Sequence, residues 1–282
     1  MEDKTKKIFD YLPDKIFLRI RYYHAFKKSL NLKHPRTFNE KLQWLKLNDR
    51  NSIYTQMADK YKVREYVSKK IGKQFLIPLI NVWDSVEEID FNILPDQFVL
   101  KTTHDSGGVR ICKDKRKFNF EEATHFLGER MKKNYYYCGR EWPYRDVKPR
   151  IIAEKYMADE SNYELKDYKI FNFNGEPKFI QVDCDRFSNH KRNIYDIDWN
   201  LLNFKYNYEN ETQKIIEKPI VLKKMLNLAR KLSENTKFLR TDFYVINDKI
   251  YFGELTFYPE AGFGKFIPES IDLEIGKLLE IE

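Results

Sequence analysis

Apolar positions along this chain recur first at helical and later at strand spacing. Near the start, Ile16, Ile20 and Tyr23 mark an amphipathic stretch. Thr37-Phe38-Asn39-Glu40 is a capping box, and it predicts a helix through Trp44 and Leu47. A further helix is expected over residues 52–71, stopped near Gly72. Ile77-Pro78 ends the next run, Val82 and Trp83 close a short strand, and Ser85-Val86-Glu87-Glu88 reads as a second capping box. Gln97 to Thr103 is a strand, followed by His104-Asp105-Ser106-Gly107-Gly108 and a second strand, Val109 to Lys113. A helix over residues 119–133 precedes a polar, aromatic loop through Tyr144 and Arg145, and Pro149 introduces a strand from Arg150 to Met157. Asn174-Gly175, between runs at residues 168–173 and 177–183, is a strong hairpin signal. Val221, Met225, Leu228 and Leu232 predict an amphipathic helix opening at Pro219. Helices, then mixed elements, then hairpins imply an α+β fold and not a doubly wound sheet.

The last hairpin carries the sharpest pattern. Residues Arg240 to Gly264 read as two strands about a turn at Asn247-Asp248, with Asp242 on the way in and Glu254 on the way out. A loop of odd length, such as Asn247-Asp248-Lys249, places the two acids opposite each other on one face; a two-residue loop separates them. Opposed side chains have Cβ atoms about 4.5–5.5 Å apart, and like charges there repel. A proton or a cation between them resolves the conflict, and a hard divalent cation with oxygen ligands is a natural choice. On a surface hairpin the same acids are simply solvated. Arg240 and Thr256 share their face by alternation.

Composition narrows the class. With 282 residues, 42% hydrophobic and 16% aromatic, the chain can bury a substantial core. No apolar run approaches the length of a membrane span, and the first residues lack the apolar core of a signal peptide. Cys112, Cys138 and Cys184 are scattered and odd in number, which fits a reducing cytoplasm. Residues 1–50 hold 13 Lys and Arg against 6 Asp and Glu, so seven of the eight net positive charges lie there. Such a segment suits an anionic membrane surface or an acidic polymer, or is merely a solvated basic face. Nucleic acid is not expected, because no zinc-finger spacing or RNA-binding signature occurs.

Other residues could carry chemistry. Lys101 lies inside an otherwise apolar strand, so it either edges the sheet or points at an anion. Ser106, Gly107 and Gly108 form a turn whose backbone N–H groups can approach phosphates, although a plain hairpin turn reads the same way. Glu154-Lys155-Tyr156-Met157 runs out of an apolar strand and could present backbone groups and an apolar wall to a base. Asp167 and Lys169, and Asp183-Cys184-Asp185-Arg186 with His190 and Arg192, gather charge around the Asn174-Gly175 hairpin. The five histidines show no triad-like or metal-like grouping.

Taken in order, Ala58-Asp59-Lys60, the Lys101 strand with its small-residue loop, Ile152 to Met157, Arg240-x-Asp242 and Glu254-x-Thr256 resemble an ATP-grasp fold. The strings PRTFNEKLQWLK, KTTHDSGGVRICKDK, DYKIFNFNGEPKFI and FGELTFYPEAGFG resemble its TupA-like branch, from about residue 35 to the C-terminus. That branch is associated with teichuronopeptide, capsule and other surface-polysaccharide gene clusters.

The resemblance implies ATP held by Lys60, Lys101, the Ser106-Gly107-Gly108 loop, Glu154, Lys155, Tyr156 and Met157, with Asp167 and Lys169 alongside. It implies Mg²⁺ on Asp242 and Glu254, with Thr256 in a position usually filled by Asn, and Arg240 and Lys101 acting on the transferring group. Arg186, His190 and Arg192 are substrate candidates. The expected organisation is a basic helical segment over 1–50 in place of the usual α/β pre-domain, a helical and strand lead-in over 51–95, a lid subdomain over 96–157 and a C-terminal core with the metal site over 158–282. The implied activity is an ATP- and Mg²⁺-dependent carboxylate–amine ligase joining an amino acid to an acidic or amino-sugar glycan or a lipid-linked precursor. Alternatives are a glycan phosphotransferase and a polysaccharide glycosyltransferase. A cytoplasmic protein that meets the inner face of the membrane through its basic helices is expected.

Overall fold

A computed structural model describes residues 10–158, 167–184 and 189–281. Among the described residues four helices come first: α1 (Asp14–Phe26), α2 (Phe38–Asn48), α3 (Ile53–Ala58) and α4 (Val63–Lys70). Strands β1 (Leu79–Trp83), β2 (Phe98–Thr102), β3 (Val109–Cys112) and β4 (Ile151–Lys155) form a four-stranded sheet in the order β1-β4-β2-β3. Helices α5 (Phe120–Met131) and α6 (Tyr136–Gly139) lie between β3 and β4. Strands β5 (Asp167–Phe173), β6 (Glu176–Cys184), β7 (Lys191–Asp196), β9 (Phe238–Ile246) and β10 (Lys249–Thr256) form a five-stranded sheet in the order β10-β9-β5-β6-β7. The short β8 (Lys205–Tyr206) pairs with β11 (Phe266–Ile267), and α7 (Leu222–Ser233) and α8 (Ser270–Lys277) complete the set. Every ladder is antiparallel, so the α+β class holds.

The local reasons are those of the sequence. Thr37 Oγ1 accepts from the Glu40 N–H at 3.2 Å while Glu40 Oε2 accepts from the Thr37 N–H at 3.1 Å, a complete capping box. Asn174 and Gly175 take φ of 50° and 83°, the left-handed pair that a tight β5–β6 turn requires. Leu222, Met225, Leu228, Ala229 and Leu232 of α7 are buried in the core shared with the five-stranded sheet. A separate core, built on Trp83, Phe98, Leu100, Leu127 and Ile151, sits between α5 and the four-stranded sheet.

Two expectations change. The helix over residues 52–71 is broken at Asp59-Lys60: Asp59 Oδ1 accepts from the Tyr61 and Lys62 N–H groups at 2.8 and 3.2 Å, and the Lys60 N–H donates to Thr103 O at 3.0 Å. Local side-chain acceptors of this kind compete with the helix ladder. Ser85 to Glu88 opens no helix; Glu88 Oε2 instead accepts from the Asp84 N–H at 3.0 Å and closes a turn. Within the stretch 51–95, strand β1 pairs with β4 and so belongs to the four-stranded sheet.

The N-terminal helices are fastened to the C-terminal end. Lys41 Nζ donates to Gly276 O and Leu279 O at 2.8 and 2.6 Å, and the Asn39 N–H donates to Asp272 Oδ1 at 2.9 Å. A Cβ on Gly276 would meet Arg36 O at 2.2 Å, backbone against backbone. Gly276→Ala should therefore destabilise the protein by about 1–3 kcal/mol, read as a lower urea midpoint at unchanged slope.

Candidate active site

Register brings the two hairpin acids together by a route the sequence did not suggest. The β9–β10 turn has two residues, Asn247 and Asp248, at φ 47° and 57°, with Ile246 opposite Lys249. Alone, that turn would put Asp242 and Glu254 on opposite faces. A bulge at Gly253 shifts the register by one, so that Glu254 pairs with Asp242 and Thr256 with Arg240. The expected odd-length turn is thus replaced by an even turn plus a bulge, with the same result for the acids. Glycine suits the bulge because a Cβ there would lie 3.0 Å from Asp242 O.

Arg240 lies between these acids. Its Nε donates to Asp242 Oδ1 at 2.8 Å, and its Nη2 donates to Asp242 Oδ2 at 2.7 Å, Glu254 Oε1 at 3.0 Å and Thr256 Oγ1 at 3.1 Å. Burial raises the pKa of Asp242 against the pull of Arg240 and Lys169. Enclosure also opposes the charge on Glu254, but Arg240, Lys169 and Lys60 outweigh it and hold the carboxyl below its usual range. Asp242 is only 1% exposed, whereas the Glu254 side chain keeps 47% exposure.

The charged row continues across the sheet. Lys169 stands opposite Asp242 in the ladder; its Nζ donates to Asp167 and reaches Asp242 Oδ2 at 3.3 Å. Asp183 receives Arg192 Nε at 2.6 Å and the Gln181 amide at 3.1 and 3.0 Å, and Arg192, overcoming burial, holds the carboxyl down at about 2. Arg192 Nη1 also donates to Glu260 Oε1 at 3.2 Å, and the His190 ring lies against Tyr208, centroids 3.8 Å apart. Both substrate candidates therefore sit at the β7 end of the row. Arg186 and Asp185 lie outside the described residues.

The four-stranded sheet supplies the other half. Lys101 Nζ donates to Glu154 Oε2 at 2.7 Å, and Glu154 Oε1 accepts from Arg64 Nη1 at 2.9 Å, so the strand lysine does point at an anion. Lys60 Nζ donates to Asp105 O. Burial lowers the pKa of Lys60, with Glu254 and Asp105 counteracting and Lys101 adding to the effect, which places residues of both sheets in one electrostatic neighbourhood. Lys60, Tyr144, Gly253 and Glu254 line a small cleft, which sets Lys60 beside the acid of β10. In the β2–β3 loop, Asp105 accepts from Thr102 and Arg130, while Ser106 and Gly107 remain exposed. Gly108 is obligatory: a Cβ would stand 1.7 Å from Thr102 Oγ1. Lys155 ends β4 exposed, and Tyr156 and Met157 follow it half-buried.

Sequence reading missed Arg64, Arg130 and Glu141. Glu141 is 4% exposed, and burial raises its pKa against Lys46, with Glu254 raising it further. Lys46, also buried, donates to Gln43 Oε1, Gly139 O and Ala261 O at 3.0, 2.7 and 2.7 Å. The only available hint was a charged pair, Arg140-Glu141, set among aromatics.

The donors suit a hard cation. Three oxygens, from Asp242, Glu254 and Thr256, already converge within 3.1 Å on one guanidinium nitrogen, so the protein itself shows that they accept a positive charge. Among the described residues no group of three or more His, Cys, Asp or Glu is placed to hold a metal. Two carboxylates completed by phosphate oxygens are a usual Mg²⁺ set.

Comparison with known proteins bears on the family. The family profile described as TupA-like ATPgrasp matches residues 40–280. No curated protein sequence matches the chain. Among solved structures, an L-amino acid ligase from Bacillus licheniformis is similar at 11% identity and TM-score 0.48, covering 89% of this chain and 57% of that one. A D-alanine–D-alanine ligase from Bacillus anthracis complexed with ATP is similar at 18% identity and TM-score 0.41, covering 71% and 54%. One from Helicobacter pylori is similar at 16% and 0.40, covering 86% and 69%. The chain thus spans 54% to 69% of the length of these three structures. The profile match extends over most of the sequence and includes both sheets, the Lys101 strand and the Arg240–Thr256 hairpin: the chain belongs to the TupA-like ATP-grasp family.

Proposed function

We propose that this protein is an ATP- and Mg²⁺-dependent carboxylate–amine ligase acting on a bacterial surface polysaccharide or its precursor. The observation that carries the ligase reading is the opposition of Asp242 and Glu254 about Arg240, with Lys60 lining one cleft beside Glu254 and holding Asp105 O of the β2–β3 loop. Such a site needs no protein nucleophile. A substrate carboxylate oxygen attacks the γ-phosphorus, the bond to the β-phosphate oxygen breaks and ADP departs. An amine then attacks the acyl carbon of the resulting acyl phosphate, phosphate leaves, and the nitrogen gives up a proton.

Asp242 and Glu254 would hold Mg²⁺, which when bound neutralises charge on the phosphates, and Thr256 would add a hydroxyl. Lys101 and Lys60 orient the phosphates, the loop N–H groups cover them, and Lys155 to Met157 border the base. Arg240 stabilises charge on the transferring group and on the acyl carbon's oxygen, a role set by position and not by proton transfer. The polysaccharide context and the acidic or amino-sugar acceptor are supported by the family resemblance. Incubating the protein with ATP, Mg²⁺, amino acids and acidic glycan fragments should release ADP and phosphate and give a product heavier by one amino acid less water. A phosphorylated glycan without free phosphate would mean a phosphotransferase instead, and turnover of a sugar nucleotide without ATP a glycosyltransferase.

A further inference from the structure

We infer that the outer face of α1, with the loop that follows it, docks on an anionic membrane surface. Helix α1 is apolar on two sides. Inward, Phe17, Leu18 and Tyr22 are buried at 4%, 0% and 4% exposure and pack with Leu30, Leu47 and Phe263. Outward, Ile16 and Tyr23 are 47% and 56% exposed, Ile20 is half-buried between them, and Tyr11 just before the helix is 88% exposed. Positions 16, 20 and 23 fall on one stripe, and Arg19 and Lys27 lie on the same side of the helix.

Around that stripe the charge is almost wholly positive. Residues 10–36 contain seven Lys and Arg against two Asp and no Glu, and all seven cations are exposed. One of the two acids, Asp14, is engaged by Arg50 at 3.1 Å and by the Tyr136 hydroxyl. Glu40, just beyond, is occupied by the N–H groups of Arg36 and Thr37. Of the cations, Lys28 pairs with exposed Glu269, and Arg21 lies over the Phe17 and Phe263 rings at 5.8 and 5.4 Å.

The apolar stripe decides the partner. An acidic polysaccharide would satisfy the cations but would leave Ile16 and Tyr23 in water. The headgroup–acyl boundary of a membrane accepts both, with the helix lying in the plane. Each cation near an anionic surface adds an attraction that salt screens. Among the described residues no helix is long and apolar enough to cross a membrane, so the contact is peripheral.

The inference is independent of the ligase reading, and its test does not use turnover. The full chain is sedimented with vesicles of phosphatidylcholine alone and of phosphatidylcholine mixed with phosphatidylglycerol. Binding to the mixed vesicles only, weakened by added salt, is expected. The double variant Ile16→Ser/Tyr23→Ser, which keeps every charge, should lose about tenfold in affinity for the mixed vesicles at an unchanged melting temperature. Lys15→Gln/Arg19→Gln/Lys27→Gln should lose at least as much. No binding to mixed vesicles would overturn the inference. So would full binding by the Ile16→Ser/Tyr23→Ser variant, which would mean a purely electrostatic surface, better matched to an acidic polymer such as polygalacturonate.

Discussion

Glu254→Gln is expected to lower ATP turnover by on the order of a thousandfold while costing under about 1 kcal/mol of stability. The two effects separate because Glu254 is half-exposed and has Arg240 and Thr256 as its only side-chain hydrogen-bond partners among the described residues. Asp242 is different. It is the counter-ion of two buried cations, Arg240 and Lys169, so Asp242→Ala leaves both short of an anion. That change should cost about 3–5 kcal/mol. Its inactivity alone would therefore confuse chemistry with folding. Asp242→Asn, which keeps volume and one acceptor oxygen, is the better partner variant. Turnover is read from ADP release and stability from urea unfolding. Normal turnover by a folded Glu254→Gln protein would remove the metal assignment.

Arg240→Met should produce opposite changes in two measurements. Turnover should fall by about a hundredfold or more, because the charge on the transferring group loses its guanidinium. Binding of Mn²⁺ to the nucleotide-free protein, followed by titration calorimetry, should tighten by about tenfold. The reason is that Arg240 Nη2 occupies the same three oxygens that a cation would use. Releasing a charge-assisted hydrogen bond there returns about 1.5–3 kcal/mol to the incoming ion. Unchanged Mn²⁺ affinity would mean that guanidinium and metal use different oxygens. Arg240→Lys, which keeps a charge but loses the fork, should fall between wild type and Met in both readings.

Most strands were legible in the sequence because alternation and turn residues act locally. Asn174-Gly175 fixed one hairpin, and Lys101 between Leu100 and Thr102 identified a strand with one face turned to charge. The opposition of Asp242 and Glu254 was expected, but for the wrong reason, since a bulge at Gly253 cannot be told from an ordinary strand glycine by pattern. The break at Asp59-Lys60 was also hidden, because it depends on Thr103, more than forty residues away in the chain, accepting the Lys60 N–H. Arg64 and Glu141 escaped for the same physical reason. Nothing beside Arg64 in sequence announces that Glu154 needs a second cation, and Glu141 becomes notable only when burial brings it near Glu254. Pairings between distant segments, more than secondary structure, were beyond reach of the sequence.

The account rests on the hairpin acids serving the nucleotide's metal. A crystal structure of the protein with Mg²⁺ and a non-hydrolysable ATP analogue tests this most directly. Mg²⁺ is expected at about 2.0–2.1 Å from Glu254 and Asp242 oxygens. The phosphates are expected against Lys101 and the Ser106-Gly107-Gly108 loop, with Arg240 Nη2 withdrawn from Glu254. A nucleotide bound away from the hairpin, with Arg240 still joining the two acids, would contradict it.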